Sequence, residues 1–197
     1  MTRLLLALAV MVPALAGAAG FSFTARMDEA WDKHEFELEA TGGNAKLFFS
    51  LPPGSGIHVT AVRDTVTALD ARITMSSPLT LRGSGRYKVT VQRDSGTGEL
   101  ACRDALGTAS LRSLSSFADT TFAPRITIST EDDEANWKFT WPRSSTFMVQ
   151  TIGPGGKIVD EMDLYDEDNY ELFGPGSAAL VVKVTDGGGA YSLRLVE

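Results

Sequence analysis

Short runs of alternating polar and apolar residues, cut apart by glycine and proline, dominate this chain and leave little room for helices. In His34-Glu35-Phe36-Glu37-Leu38-Glu39, Phe36 and Leu38 face one side and the three glutamates the other. A period of two is the mark of a half-buried strand. Thr41-Gly42-Gly43-Asn44 is a turn, and Ala45 to Leu51 is a strand stopped by Pro52-Pro53-Gly54. Ile57 to Val62 and Tyr87 to Val91 are further strands, and Asp94-Ser95-Gly96-Thr97-Gly98 is a hairpin turn. Thr65 to Met75 reads as a short helix or a strand, with its β-branched residues favouring strand. After residue 121 the pattern restarts. Arg125 to Thr130 is a strand, Trp137-Lys138-Phe139-Thr140-Trp141 puts three aromatics on one face, and two more hairpins turn at Gly153-Pro154-Gly155-Gly156 and Asp186-Gly187-Gly188-Gly189. Many short strands at close spacing predict an all-β fold of antiparallel sandwich type.

The restart is an internal repeat. Leu81–Arg103 laid over Leu172–Arg194 without gaps gives seven identities in 23 positions: Leu81/Leu172, Gly83/Gly174, Gly85/Gly176, Val91/Val182, Gly96/Gly187, Gly98/Gly189 and Arg103/Arg194. The apolar phase agrees as well, with Val89 over Leu180. Upstream, Asp28-Glu29-Ala30-Trp31 resembles Asp133-Glu134-Ala135-Asn136-Trp137. The expectation is therefore two tandem small β-sandwich units of jelly-roll type, residues 20–105 and 122–197. Residues 106–121, rich in small side chains and weak in periodicity, are expected to link them.

Gly85-x-Tyr87-x-Val89-x-Val91 with Gly96-x-Gly98, and Gly176 to Val182 with Gly187-Gly188-Gly189-x-Tyr191-x-Leu193, resemble the last hairpin of bacterial pre-peptidase C-terminal (PPC) domains. The resemblance covers about 25 residues per unit. It implies a small secreted jelly-roll sandwich with a binding or accessory role, and supplies no catalytic residue.

Arg3 followed by the apolar run Leu4 to Leu15 and the small residues Ala14 to Ala19 forms the pattern of a secretory signal peptide over residues 1–19. The run is too short to span a bilayer, which takes about 20 apolar residues. The mature chain is expected to begin near Gly20 and to be periplasmic or extracellular, with no transmembrane segment once the signal is removed. One cysteine in 197 residues excludes an intrachain disulfide. The net charge of -7 argues against nucleic acid as a partner. The charge is unevenly placed: residues 20–119 hold 12 acidic and 11 basic side chains, residues 120–197 hold 13 and 6.

The catalytic patterns fail one by one. No Gly-x-Ser-x-Gly pentapeptide accompanies His34 or His58, so both read as satisfied or solvated histidines. Asp94-Ser95-Gly96 and Thr185-Asp186-Gly187 mimic an aspartic-protease pair but fall at hairpin tips. Glu35, Glu37 and Glu39 read as a solvated strand face, and Cys102, over Leu193 in the repeat, as a buried apolar residue. Trp31, Trp137 and Trp141 would make a sugar-stacking platform if exposed, though tryptophan in a small sandwich is usually core.

Asp160, Asp163, Asp166 and Asp168 are the candidate metal ligands, and calcium is the cation such carboxylates would take. The EF-hand template fails, with Glu171 where glycine is required and Ser177 where the bidentate glutamate is required. A solvated loop that needs no cofactor is the simpler reading. The expected function is an exported, non-enzymatic binding or accessory protein whose partner is a protein or a cell-surface polysaccharide. The alternatives are a periplasmic inhibitor of a secreted hydrolase such as a lysozyme or protease, and a carbohydrate-active enzyme using two carboxylates.

Overall fold

The computed structural model describes residues 20–130, 134–165, 167–173 and 176–196. The expected signal segment, 1–19, lies outside the described residues. Sixteen strands account for most of the described residues. The first half contains β1 (Ser22–Met27), β2 (Lys33–Ala40), β3 (Asn44–Ser50), β4 (Gly56–Arg63), β5 (Val66–Ile73), β6 (Ser77–Arg82), β7 (Gly85–Ser95) and β8 (Gly98–Asp104). The second contains β9 (Ala109–Asp119), β10 (Arg125–Thr130), β11 (Glu134–Thr140), β12 (Thr146–Ile152), β13 (Ile158–Leu164), β14 (Glu167–Phe173), β15 (Gly176–Asp186) and β16 (Gly188–Val196). The ambiguous segment Thr65 to Met75 holds strand β5.

All pairings are antiparallel, in two eight-stranded sheets of order β13-β12-β15-β10-β1-β8-β3-β6 and β14-β11-β16-β9-β2-β7-β4-β5. Within the first half, 1-8-3-6 faces 2-7-4-5, which is the strand order of a jelly roll. Adding eight to every label reproduces the second half, with the roles of the two sheets exchanged. The halves are not separate sandwiches joined by a tether. β1 pairs with β10 and β2 with β9, so each sheet runs through both halves. A single apolar core contains side chains of both, among them Phe23, Phe36, Leu47, Val89, Ile126, Trp137, Phe147 and Leu193. Each seam removes two open sheet edges, which would otherwise invite aggregation.

The expected linker, residues 106–121, is corrected by this arrangement: most of it is β9, paired with β2 on one side and β16 on the other. Its alternation is hidden by a bulge. Glu37 pairs with Ser113 but Leu38 with Leu111, so Arg112 is an extra residue and the buried Leu111 and Leu114 are three apart.

The repeat is carried by turns that pack on turns. Ser55 N–H donates to the Pro52 carbonyl at 3.2 Å, and Ser145 N–H to the Pro142 carbonyl at 3.0 Å. Against each of these turns lies a hairpin glycine: a Cβ on Gly98 would stand 2.9 Å from the Pro52 ring, and one on Gly189 2.8 Å from the Pro142 ring. Both have strongly positive φ, 135° and 152°. Only glycine meets both demands. The upstream match of Trp31 to Trp137 is corrected. Trp31 lies in the β1–β2 turn and Trp137 in β11. The counterpart of Trp31 is Phe122, since Asp28 N–H donates to the Trp31 carbonyl as Asp119 N–H does to that of Phe122.

Candidate functional site

The two seams bring the β1–β2 and β9–β10 turns together, and with them a group of polar and aromatic side chains distant in sequence. Arg26, from the end of β1, reaches Asp28 at 3.3 Å, Asp119 of the other half at 3.5 Å and the Thr121 hydroxyl at 2.9 Å. Asp119 pays for partial burial but accepts hydrogen bonds from the Thr121 hydroxyl and N–H, and its carboxyl is held below the usual range. Trp31 stacks on Phe117, ring centroids 4.1 Å apart and planes 6° from parallel. Asp28 fixes that turn by accepting from the N–H groups of Ala30 and Trp31, at 2.9 and 2.8 Å.

Beneath the turns, His34 points into the core in phase with Phe36 and Leu38 and is 1% exposed. Its Nδ1 lies 3.0 Å from Ser116 Oγ and its Nε2 2.9 Å from the Arg26 carbonyl. A carbonyl can only accept, so Nε2 carries the proton and Nδ1 accepts from the Ser116 hydroxyl. Both contacts suit a neutral ring. Burial holds the imidazole below its usual pKa, against the opposing pull of the Arg26 carbonyl and of Asp28 and Asp32. Tyr191 pairs in register with Ser116 from β16, and burial pushes its hydroxyl well up. This row of His34, Ser116 and Tyr191 crosses the seam between the halves. His34 and Ser116 are hydrogen-bonded within it, whereas the buried Tyr191 hydroxyl has no hydrogen-bond partner among the described residues. Ser116 is only 6% exposed, so its hydroxyl is closed to an attacking role on a bulky substrate.

The residues singled out in the sequence fall elsewhere. Asp160 and Asp163 are exposed on the edge strand β13, with Asp160 accepting from the Tyr170 hydroxyl at 3.1 Å. Asp168, on β14, accepts from the Tyr165 N–H at 2.7 Å. Asp166 lies outside the described residues. Among the described residues no three of His, Cys, Asp or Glu converge as metal ligands. Glu35 pairs with Lys33 and Lys88, and Glu39 with Arg112, on the outer face. The hydrogen bond from Lys33 is the chief reason the Glu35 carboxyl lies below its usual range. His58 contacts Asp70 at 2.7 Å on the surface, and Asp94 pairs with Arg72. Cys102 is buried, and burial raises its thiol well above the usual value.

The three tryptophans form no common platform. Trp137 is 1% exposed, Trp141 packs toward Phe147, and Trp31 is at the junction. No motif in the sequence marks the junction. The one available signal was a histidine standing in an apolar phase.

No family model matches the chain, and no curated protein matches it in sequence. Among solved structures it is similar to oxalate decarboxylase from Bacillus subtilis at 7% identity, covering 90% of this chain and 68% of that one with a TM-score of 0.32. It is also similar to vicilin from Corylus avellana (hazelnut) at 8% identity, covering 92% and 76% with a TM-score of 0.31. Procruciferin, the 11S globulin of Brassica napus, follows at 8% identity, covering 90% and 76% with a TM-score of 0.29. Nothing about activity, metal or partner passes to this chain at that level of likeness.

Proposed function

We propose that the protein is an exported, non-enzymatic binding or accessory protein that works through its outer surface. The observation that carries this reading is the filling of the interior. The inward positions of both halves hold mainly apolar side chains, and His34 and Ser116, buried among them, are hydrogen-bonded to each other. The weak likeness of the closing hairpins to PPC domains points the same way. The leader-like residues 1–19 support export to the periplasm or beyond.

The partner best matched to this surface is a basic protein. Acidic side chains gather on the second half, where Asp160, Glu161 and Asp163 lie exposed along β13 and Glu171 on the neighbouring edge of the other sheet. Such a face would steer a cationic partner and fix its orientation. A secreted basic hydrolase, with this chain as its inhibitor, is the sharpest form of the reading.

The test uses the chain from Gly20 onward, offered in parallel to an immobilised basic lysozyme and to insoluble cell-wall polymer. The expected result is retention on the protein, with association slowing as salt rises. The double substitution Asp160→Asn, Asp163→Asn should slow association at low salt. Retention on the polymer alone would replace the protein partner with a polysaccharide. Glycan hydrolysis by the purified chain would overturn the non-enzymatic reading.

A further inference from the structure

We propose that two copies of this chain associate through the outer edge of β5, antiparallel and centred on Ala71, joining the β5-bearing sheets of the two molecules. The inference is independent of the partner proposed above, which uses the other half.

Among the described residues the sheets end on four strands: β13 and β6 in one, β14 and β5 in the other. Open edges are usually blunted by proline or by charge. β6 carries Pro78, which has no N–H to offer. β13 carries Asp160, Glu161 and Asp163, and β14 carries Asp168 and Glu171, so a second copy would bring carboxylates against carboxylates. β5, Val66-Thr67-Ala68-Leu69-Asp70-Ala71-Arg72-Ile73, has neither proline nor glycine. Its one acid and one base stand two positions apart on the same exposed face.

That spacing is self-complementary. In a two-fold antiparallel pairing centred on Ala71, Asp70 lies opposite the partner's Arg72, and Arg72 opposite the partner's Asp70. Directly opposed unlike charges favour such a pair. On the inner face Leu69 lies opposite the partner's Ile73. Both are half-buried against their own core, and the pairing would complete their burial. The only register shift between β4 and β5 lies between Ala61 and Val62, which leaves Leu69 to Ile73 regular. Val66 and Met75, exposed by 67% and 69%, flank the two ends of this edge. The bulge at Ala68 and the end of the strand at Ile73 limit regular pairing to Leu69–Ile73, and the antiparallel arrangement brings the Met75 end of one edge beside the Val66 end of the other. Asp70 is already oriented by His58 through Oδ1, and Arg72 by Asp94 through Nε.

Sedimentation velocity over a concentration series tests the proposal. The expected result is a reversible monomer–dimer equilibrium. Arg72→Asp should raise the dissociation constant about tenfold or more, by setting like charges opposite each other. The reversal Asp70→Arg, Arg72→Asp should restore the dimer. Val66→Lys with Met75→Lys should also weaken it. These two positions are exposed, so unchanged thermal melting is expected and separates lost association from lost folding. A monomer at every accessible concentration would overturn the proposal. So would a dimer indifferent to Arg72→Asp.

Discussion

His34 and Ser116 meet at 3.0 Å across the seam between the two halves, although 82 positions separate them in the chain. In the neutral ring, which burial favours, the hydroxyl donates and Nδ1 accepts, and protonation would reverse that bond. Burial depresses the folded-state pKa below the ordinary value near 6.5. Above that value the ring is neutral whether the chain is folded or not, and its contribution is fully present. As pH falls below it, the unfolded chain takes up the proton first, and stability is lost until the folded ring titrates too. Urea midpoints measured from pH 7.5 to 5 should fall, with a slope from this group of at most about 1.4 kcal/mol per pH unit. His34→Gln should be less stable at pH 7.5 and flatter over that window. An equal slope in the variant would assign the dependence to other groups.

Most strands were legible because their environment is simple. Phe36 and Leu38 in β2, or Tyr87, Val89 and Val91 in β7, have one wet face and one dry face, and a period of two follows. The gapless repeat was legible because β6, β7 and β8 share their turn glycines with β14, β15 and β16. β9 was not legible. Its bulge at Arg112 breaks the alternation, and its outward serines look like linker composition. The seams were hidden for another reason. Pairing of β1 with β10 joins residues about a hundred positions apart, and local periodicity says nothing about the partner of an edge. The corrected position of Trp31 shows the same limit: four matching letters near Trp137 weighed more than the turn geometry that relates it to Phe122.

The thiol of Cys102 should be silent in the native protein. It is 1% exposed, pairs with Phe23 and Phe49 in adjacent strands, and burial holds it protonated. The thiolate is the reactive form. A bulky disulfide reagent should react slowly under native conditions and promptly in urea. Rapid native labelling would place the side chain at the surface.

Tyr87 closes the corner between β6 and β7. Its hydroxyl lies 2.6 Å from the Arg82 carbonyl and 2.9 Å from that of Gly83, and accepts from Arg63 at 3.2 Å. The ring is fully buried, so Tyr87→Phe keeps the packing and removes the bonds. The expected cost is about 0.5–1.5 kcal/mol, the net worth of a hydrogen bond whose carbonyl acceptors are not buried, one of them keeping Arg63 as a donor. The matching position of the second half is Ala178, so the effect belongs to one half only. Denaturant unfolding of the variant measures it, and a change within experimental error would deny the corner its role.

Gly189 and Pro142 should be energetically coupled. A Cβ at residue 189 would press on the proline ring at 2.8 Å, and the φ of 152° is a region L-residues rarely adopt. Gly189→Ala therefore carries a steric part and a backbone part, the latter alone on the order of 1–3 kcal/mol. Pro142→Ala removes the ring atoms in contact and can relieve only the steric part. In a double-mutant cycle Gly189→Ala should be less damaging in the Pro142→Ala background than in the natural one, by more than the roughly 0.5 kcal/mol that separates coupled from independent sites. Gly98 and Pro52 form the equivalent contact in the first half, at 2.9 Å and a φ of 135°, and the same cycle there should have the same sign. Additive cycles at both places would mean that these glycines serve backbone conformation alone.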